Sequence, residues 1–152
     1  MPLKDLIDHE RIAVLDAPLD RDAVLDAAAR LLAGGDDADG APPIAECLRQ
    51  RERLGSTAIG HGVAIPHGRC GAFEEARAAF LRLSSPVDFG AADGEPVDLV
   101  FAMTVPQHFT QQHLQLLSEL AEHFADHGFR DALRQAGDAA AVARVLREGR
   151  VP

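Results

Sequence analysis

Two spacings of apolar residues alternate along this chain, and the switches between them mark its elements. Leu3, Leu6 and Ile7 have the spacing of one helical turn. Arg11-Ile12-Ala13-Val14-Leu15 reads as an edge strand or extended segment. Val24, Leu25, Ala28, Leu31 and Leu32 then recur every three to four residues, the mark of a helix with one buried face. Asp20 stands at the N-cap of that helix, Asp22 in its first turn and Gly34-Gly35 at its end. After a polar loop over residues 36–40, Pro42-Pro43 opens a second helix, because a proline ring is tolerated where backbone N–H groups have no partner anyway. Ile44, Cys47 and Leu48 form its inner face.

The second half begins with strands. Val63-Ala64-Ile65 is a short apolar run that should end at Pro66, since proline fits only at a strand end or edge. Ala78 to Leu83 predicts a strand stopped by Ser84-Ser85-Pro86, with Val87-Asp88-Phe89 pairing briefly before a turn over residues 90–94. Pro96 to Val105, PVDLVFAMTV, is continuous enough for a strand buried on both faces. Thr110 is placed to cap a helix running to about Asp126, with Leu114, Leu117, Leu120, Ala121 and Phe124 as its apolar stripe and Glu119, Glu122 and His123 facing water. Shorter helices over Phe129–Gln135 and Ala139–Arg147 close the chain. No repeat or linker divides it. The pattern predicts an α/β fold: one domain over residues 1–152, a sandwich with a mixed β-sheet of about five strands and helices on both faces.

Composition narrows the partners. The net charge of −9 over 152 residues argues against nucleic acid, whose binding needs a basic stripe, and against anionic lipid. It favours a basic protein surface, because opposite potentials steer encounter. The start of the chain is too polar for a signal peptide, and no stretch approaches the roughly 20 apolar residues that span a bilayer. A cytoplasmic protein without membrane insertion is expected. Cys47 and Cys70 lack a metal or redox spacing, which predicts two reduced thiols.

The chemistry concentrates between Arg51 and Arg69, RERLGSTAIGHGVAIPHGR. His67 would sit where the apolar run leaves the sheet, and Gly68, without a side chain, would let another molecule approach the ring. Arg51, Ser56 and Thr57 stand upstream, and Gly55, Gly60 and Gly62 allow the chain to bring them close. A neutral imidazole beside a guanidinium and hydroxyl groups suits a phosphorylated histidine: nitrogen as nucleophile, arginine on the phosphate, hydroxyls on its oxygens. Arg49 and Arg53 are read as complementing the helix dipole. His113, in the first turn of its helix, meets backbone N–H groups and the positive dipole end, which keep a ring neutral and attract phosphate. A zinc site on His67 and His113 lacks the further ligands zinc needs, and Ser56 lacks a nucleophile elbow. His9, His61, His108, His123 and His127 show no partner pattern, although His61 could border the site.

The same stretch resembles the enzyme IIA domains of the bacterial phosphoenolpyruvate phosphotransferase system, of the mannitol/fructose type, and within them the nitrogen-regulatory branch. The resemblance is carried by Arg51-Glu52, Gly55-Ser56-Thr57, Ile59-Gly60, Gly62 through Arg69, Pro96 through Ala102 and Gln112-His113-Leu114. The family usually has glycine where this chain has Ala58. The resemblance implies that His67 is phosphorylated on Nε2 by a phosphocarrier resembling HPr, that His113 is the second active-site histidine, and that Arg51 is the arginine beside them. It implies no cofactor. The next partner would be a regulated protein or a IIB domain. No IIB-like segment appears in the sequence, which favours the regulatory branch over a stand-alone sugar IIA component. A fold kept as an interaction module, never phosphorylated, is the reading of another class.

Overall fold

The computed structural model describes residue 7 and residues 9–17, 20–34, 40–70, 73, 75–107 and 110–148, with the backbone alone described for His9, Thr110, Gln112 and His113. The possible first turn at Leu3 and Leu6 lies outside these residues, as does His108. A 3-10 turn at His9–Arg11 leads into β1 (Ile12–Leu15). Helices α1 (Arg21–Ala33) and α2 (Ala41–Leu54) follow. Next come β2 (Ala58–Gly60), β3 (Val63–Ala64), β4 (His67–Gly68), β5 (Arg77–Val87) and β6 (Val97–Thr104). Helices α3 (Thr110–Ala125), α4 (His127–Gln135) and α5 (Ala139–Glu148) complete the order.

Among the described residues the strands form one six-stranded mixed sheet in the order β1-β5-β6-β3-β2, with β4 also on β6. Both faces are covered, as the chain's two apolar periods require. On one face Val24, Leu25, Leu32, Ile44 and Leu48 of α1 and α2 pack on Ala64, Leu81, Val100 and Ala102. On the other, Leu116, Leu120, Phe124, Phe129, Leu133 and Leu146 pack on Phe80, Leu99, Phe101 and Met103. Alternate residues of β6 serve alternate faces, so its continuous apolar run is a central strand buried on both sides.

The ends of α1 follow their sequence signals, whereas Thr110, expected as an N-cap, is already the first residue of α3. Asp20 accepts the Ala23 N–H at 2.8 Å, and Gly34 takes the left-handed conformation (φ 103°) that ends α1. Three further expectations change. β5 does not stop at Ser84 but runs through Pro86, with a register shift between Arg82 and Val87. β1 accompanies β5 only as far as Leu83, so Pro86 lies where one side of the strand has no neighbour to bond. Pro66 interrupts the pairing without ending it: its carbonyl accepts the Met103 N–H at 2.9 Å, and β4 resumes parallel to β6. On α3 the buried stripe is Leu116, Leu120 and Phe124, whereas Leu114 is 66% exposed and Ala121 faces outward. Leu116, Leu120 and Phe124 recur every four residues on the side facing the sheet, where the Phe124 ring stacks on Phe80 and meets Phe101 and Phe129 edge-on.

Candidate functional site

β4 carries His67 to the C-terminal end of a parallel strand pair, where open α/β sheets characteristically expose a crevice. The half-buried ring borders a cleft of about 510 Å³ together with Arg51, Gln50 and Leu54 of α2 and with Arg69. Its Nδ1 lies 2.7 Å from the Ile65 carbonyl oxygen. A carbonyl can only accept, so Nδ1 carries the proton and the lone pair is on Nε2. Burial lowers the ring's pKa below its ordinary value of 6.5; the Arg51 guanidinium lowers it further, against the Ile65 hydrogen bond and the Glu52 carboxylate, which raise it. The ring is therefore neutral at pH 7, the form in which an imidazole is a nucleophile.

Arg51 reaches this cleft from the last turn of α2, its guanidinium donating to the Gly55 carbonyl at 2.9 Å. Arg49 and Arg53 instead pair with Asp26 and Glu46 across and along the helix surface. The two hydroxyls turn elsewhere. Ser56 Oγ donates to the Phe89 carbonyl at 2.6 Å and accepts the Ala58 N–H at 3.1 Å. Thr57 is buried, and its hydroxyl donates to Glu52 at 2.6 Å. Neither lines the cleft of His67.

Glu52 is a residue that sequence reasoning gave no role. Its buried carboxylate accepts both the N–H and the hydroxyl of Thr57. The Thr57 carbonyl accepts the Ile65 N–H at 3.0 Å, and the Ile65 carbonyl accepts the His67 ring proton. One hydrogen-bonded path thus runs from the helix end that bears Arg51 to the imidazole. The signals for Glu52 in the sequence are its place beside Arg51 in the family-like stretch and its position five residues before a threonine, on the apolar side of its helix.

The β2–β3 turn needs left-handed backbone at three successive residues, Gly60 (φ 96°), His61 (φ 58°) and Gly62 (φ 80°). It places His61 in a second cleft with Asp93 and Asp98, not in that of His67. Ala58 sits in β2 opposite Ala64, its methyl packed on the core. His113 falls in the first turn of α3, and its side chain lies outside the described residues. His127 pairs with Asp131 on the surface and His123 packs on Phe129. Among the described residues, no group of three or more histidine, cysteine or carboxylate side chains could hold a metal.

Two expectations at the site are overturned. Cys47 and Cys70 are not separate thiols but a disulfide pair, with Cα atoms 5.6 Å apart. A spacing of 23 residues says nothing of this; the fold brings α2 against the exit of β4. Nor is the space left by Gly68 open to an incoming molecule. A Cβ there would stand 2.8 Å from Cys47 Sγ, so the missing side chain makes room for the disulfide.

The chain belongs to the EIIA 2 family of the phosphoenolpyruvate-dependent sugar phosphotransferase system, whose model matches residues 5–149. It is similar over nearly its whole length to proteins of the nitrogen-regulatory branch. The nitrogen regulatory protein of Bradyrhizobium diazoefficiens is 38% identical over 149 residues, covering 96% of this chain and 95% of that protein. The crystal structure of nitrogen regulatory protein IIA-Ntr from Neisseria meningitidis matches with a TM-score of 0.85 at 36% identity, covering 95% and 98% of the two chains. A chain from the Escherichia coli complex of enzyme IIA mannitol with phosphorylated enzyme IIB mannitol shares the fold, with a TM-score of 0.76 at 19% identity over 93% of this chain and 97% of that one.

Proposed function

We propose that this protein accepts a phosphoryl group on Nε2 of His67 from a phosphocarrier resembling HPr or its nitrogen-branch counterpart, and that its phosphorylation state governs which protein it binds. The observation that carries the reading is the 2.7 Å approach of Nδ1 to the Ile65 carbonyl oxygen, which makes Nδ1 the protonated nitrogen and Nε2 the nucleophile, on a ring bordering the same cleft as Arg51. The in-line transfer would pass through a loose transition state with charge spread over three equatorial oxygens. Arg51 supplies the fixed positive charge for those oxygens, and His113, from the start of α3, a further hydrogen bond. Ser56 and Thr57 act on the loop, holding its shape, with contact to phosphate left to Arg51 and the backbone. The protonated carrier histidine is the leaving group, so neither metal nor cofactor is required.

The strong negative charge of the chain suits a basic carrier, and the cytoplasm is where such a relay would run. A charge of about −2 added to a concave site can create or abolish an interface, which is how a phosphohistidine would switch a regulated partner. The similarity to nitrogen regulatory proteins favours that outcome over transfer to a IIB domain. The test is incubation with phosphoenolpyruvate, enzyme I and a phosphocarrier. Acid-labile label should appear on the wild type and vanish in His67→Ala; equal label on both would refute the assignment. Transfer onward to a purified IIB domain would instead mark a sugar-type component, and no label under any condition an interaction module.

A further inference from the structure

We propose that Cys47 and Cys70 are a reversible redox pair in the wall of the His67 cleft, exchanging with small thiols and disulfides, and that their state sets the placement of Arg51 against His67. The consequence for phosphoryl acceptance rests on the function proposed above; the change in placement does not.

The pair joins the two elements that build the site. Cys47 lies on α2 one turn before Arg51, on the same side of the helix, and borders the same cleft. Cys70 follows His67 by three residues. Both cysteines are partly exposed, within reach of a small reagent. Arg51 and Arg69 border the cleft as well, and cationic surroundings favour the thiolate that carries exchange. Gly68 makes the coupling tight. A Cβ at that residue would meet Cys47 Sγ at 2.8 Å and Cys70 Sγ at 3.4 Å, so the backbone next to His67 is seated on both sulfurs. Two thiols in contact need more room than two bonded sulfurs, and no slack exists on the Gly68 side. That strand is pinned to β6, with the Pro66 and Gly68 carbonyls accepting from Met103 and Val105 at 2.9 and 3.0 Å. Two parts are left to yield, Cys70 beyond the paired strand and α2, and in this proposal the shift that carries Arg51 with it falls to α2.

The exchange balances as follows. A small thiolate attacks one sulfur, the Cys47–Cys70 bond breaks, and the departing sulfur takes the electron pair and then a proton. A second thiolate resolves the mixed disulfide, releasing the other cysteine thiol and one small disulfide. Two electrons pass from the small thiols to the protein, and a small disulfide drives the reverse.

The experiment holds the protein in buffers of set reduced-to-oxidised glutathione ratio and counts trapped thiols by alkylation and mass. Both cysteines should become alkylated together as the ratio rises. In the phosphoenolpyruvate-driven assay, oxidised protein should take label about three- to tenfold faster than reduced, since small misplacements of a positioning group cost at least that much. The Cys47→Ser/Cys70→Ser variant should run at the reduced rate in every buffer. Independently, the NMR titration midpoint of the His67 ring should be higher in the reduced protein and in Cys47→Ser/Cys70→Ser, which has no thiol to ionise, than in the oxidised protein as Arg51 withdraws. Glu52, Arg69 and the freed thiols are the other ionisable groups near it. Full alkylation in every buffer would overturn the redox pair. Equal rates with an unmoved midpoint would overturn the coupling. Absence of label in both states with a midpoint that still moves would support the coupling and refute the phosphoryl-accepting reading alone.

Discussion

Thr57 gives both of its hydrogen-bond donors to Glu52, the amide at 2.7 Å to one carboxylate oxygen and the hydroxyl at 2.6 Å to the other. Both residues are 5% exposed. The pair closes the turn between α2 and β2, and through the Thr57 and Ile65 carbonyls it extends to His67. Replacing Glu52 by alanine strands two buried donors. The expected loss is about 2–6 kcal/mol in urea denaturation, since each unsatisfied buried group costs about 1–3 kcal/mol. Phosphoryl acceptance should fall although His67 and Arg51 are intact. Unchanged stability would show that water replaces the carboxylate without penalty.

Arg51→Ala should slow phosphorylation of His67 by about 10²-fold, the effect of removing one preorganised donor from a charge-developing site. It should also raise the titration midpoint of the ring, because the guanidinium is one of the groups that lower it. Arg53→Ala, which removes a surface partner of Glu46, provides the comparison and should leave both readings unaltered.

His67 makes the protein's stability depend on pH in a definite direction. In the unfolded chain the ring titrates near 6.5; in the fold its pKa is lower. Between those values the unfolded state binds more protons, so stability falls as the solution is acidified. The contribution is fully present above pH 6.5 and is lost as pH falls through the folded value. Denaturant midpoints for the wild type and His67→Gln should therefore diverge on moving from neutral to acidic pH, the wild type losing more. The acidic limb of the phosphorylation rate should likewise have its midpoint below that of a free histidine.

Two glycines should resist substitution for different reasons. Gly62→Ala forces φ 80° on a residue with a Cβ and brings that Cβ to 2.8 Å from Asp98 Oδ1, disturbing the ion pair of Asp98 with Arg134. Gly68→Ala meets the Cys47 sulfur. Overpacking of this kind costs about 1–3 kcal/mol, measurable by thermal or urea denaturation. Reducing agent should relieve part of the Gly68→Ala penalty and none of the Gly62→Ala penalty.

Reduction itself should lower stability. A bridge closing a loop across 23 residues removes enough unfolded-state entropy for about 3 kcal/mol in the loop-closure account. Equilibrium denaturation with and without reductant measures it, and the Cys47→Ser/Cys70→Ser variant should show no response.

The helices and the central strand were legible because their signals are local. Asp20, Gly34 and Pro42-Pro43 fix helix ends through backbone groups a few residues away, and the run from Val97 to Thr104 states that both faces of its strand are covered. The site was legible as far as a single continuous stretch carries Arg51 and His67. The sequence misleads where a distant element decides the outcome. Pro66 and Pro86 have the local look of strand ends, yet what matters is whether a neighbouring strand needs the missing N–H, and that depends on β6 and β1. On α3 it is Leu116, not Leu114, that meets the core built by Phe80 and Phe101, a choice made by the sheet and not by the helix's own spacing.

The order of apolar and polar residues by itself determined the α/β class, the buried central strand and a lone histidine beyond an apolar run. Tertiary structure alone decided that Thr57 turns to Glu52, that the Nδ1 proton of His67 is held by the Ile65 carbonyl, and that Cys47 meets Cys70 beneath Gly68. The division has a physical cause. Burial and backbone propensity are properties of neighbouring residues, whereas a hydroxyl, an imidazole proton or a sulfur takes whichever partner the folded chain brings within bonding distance.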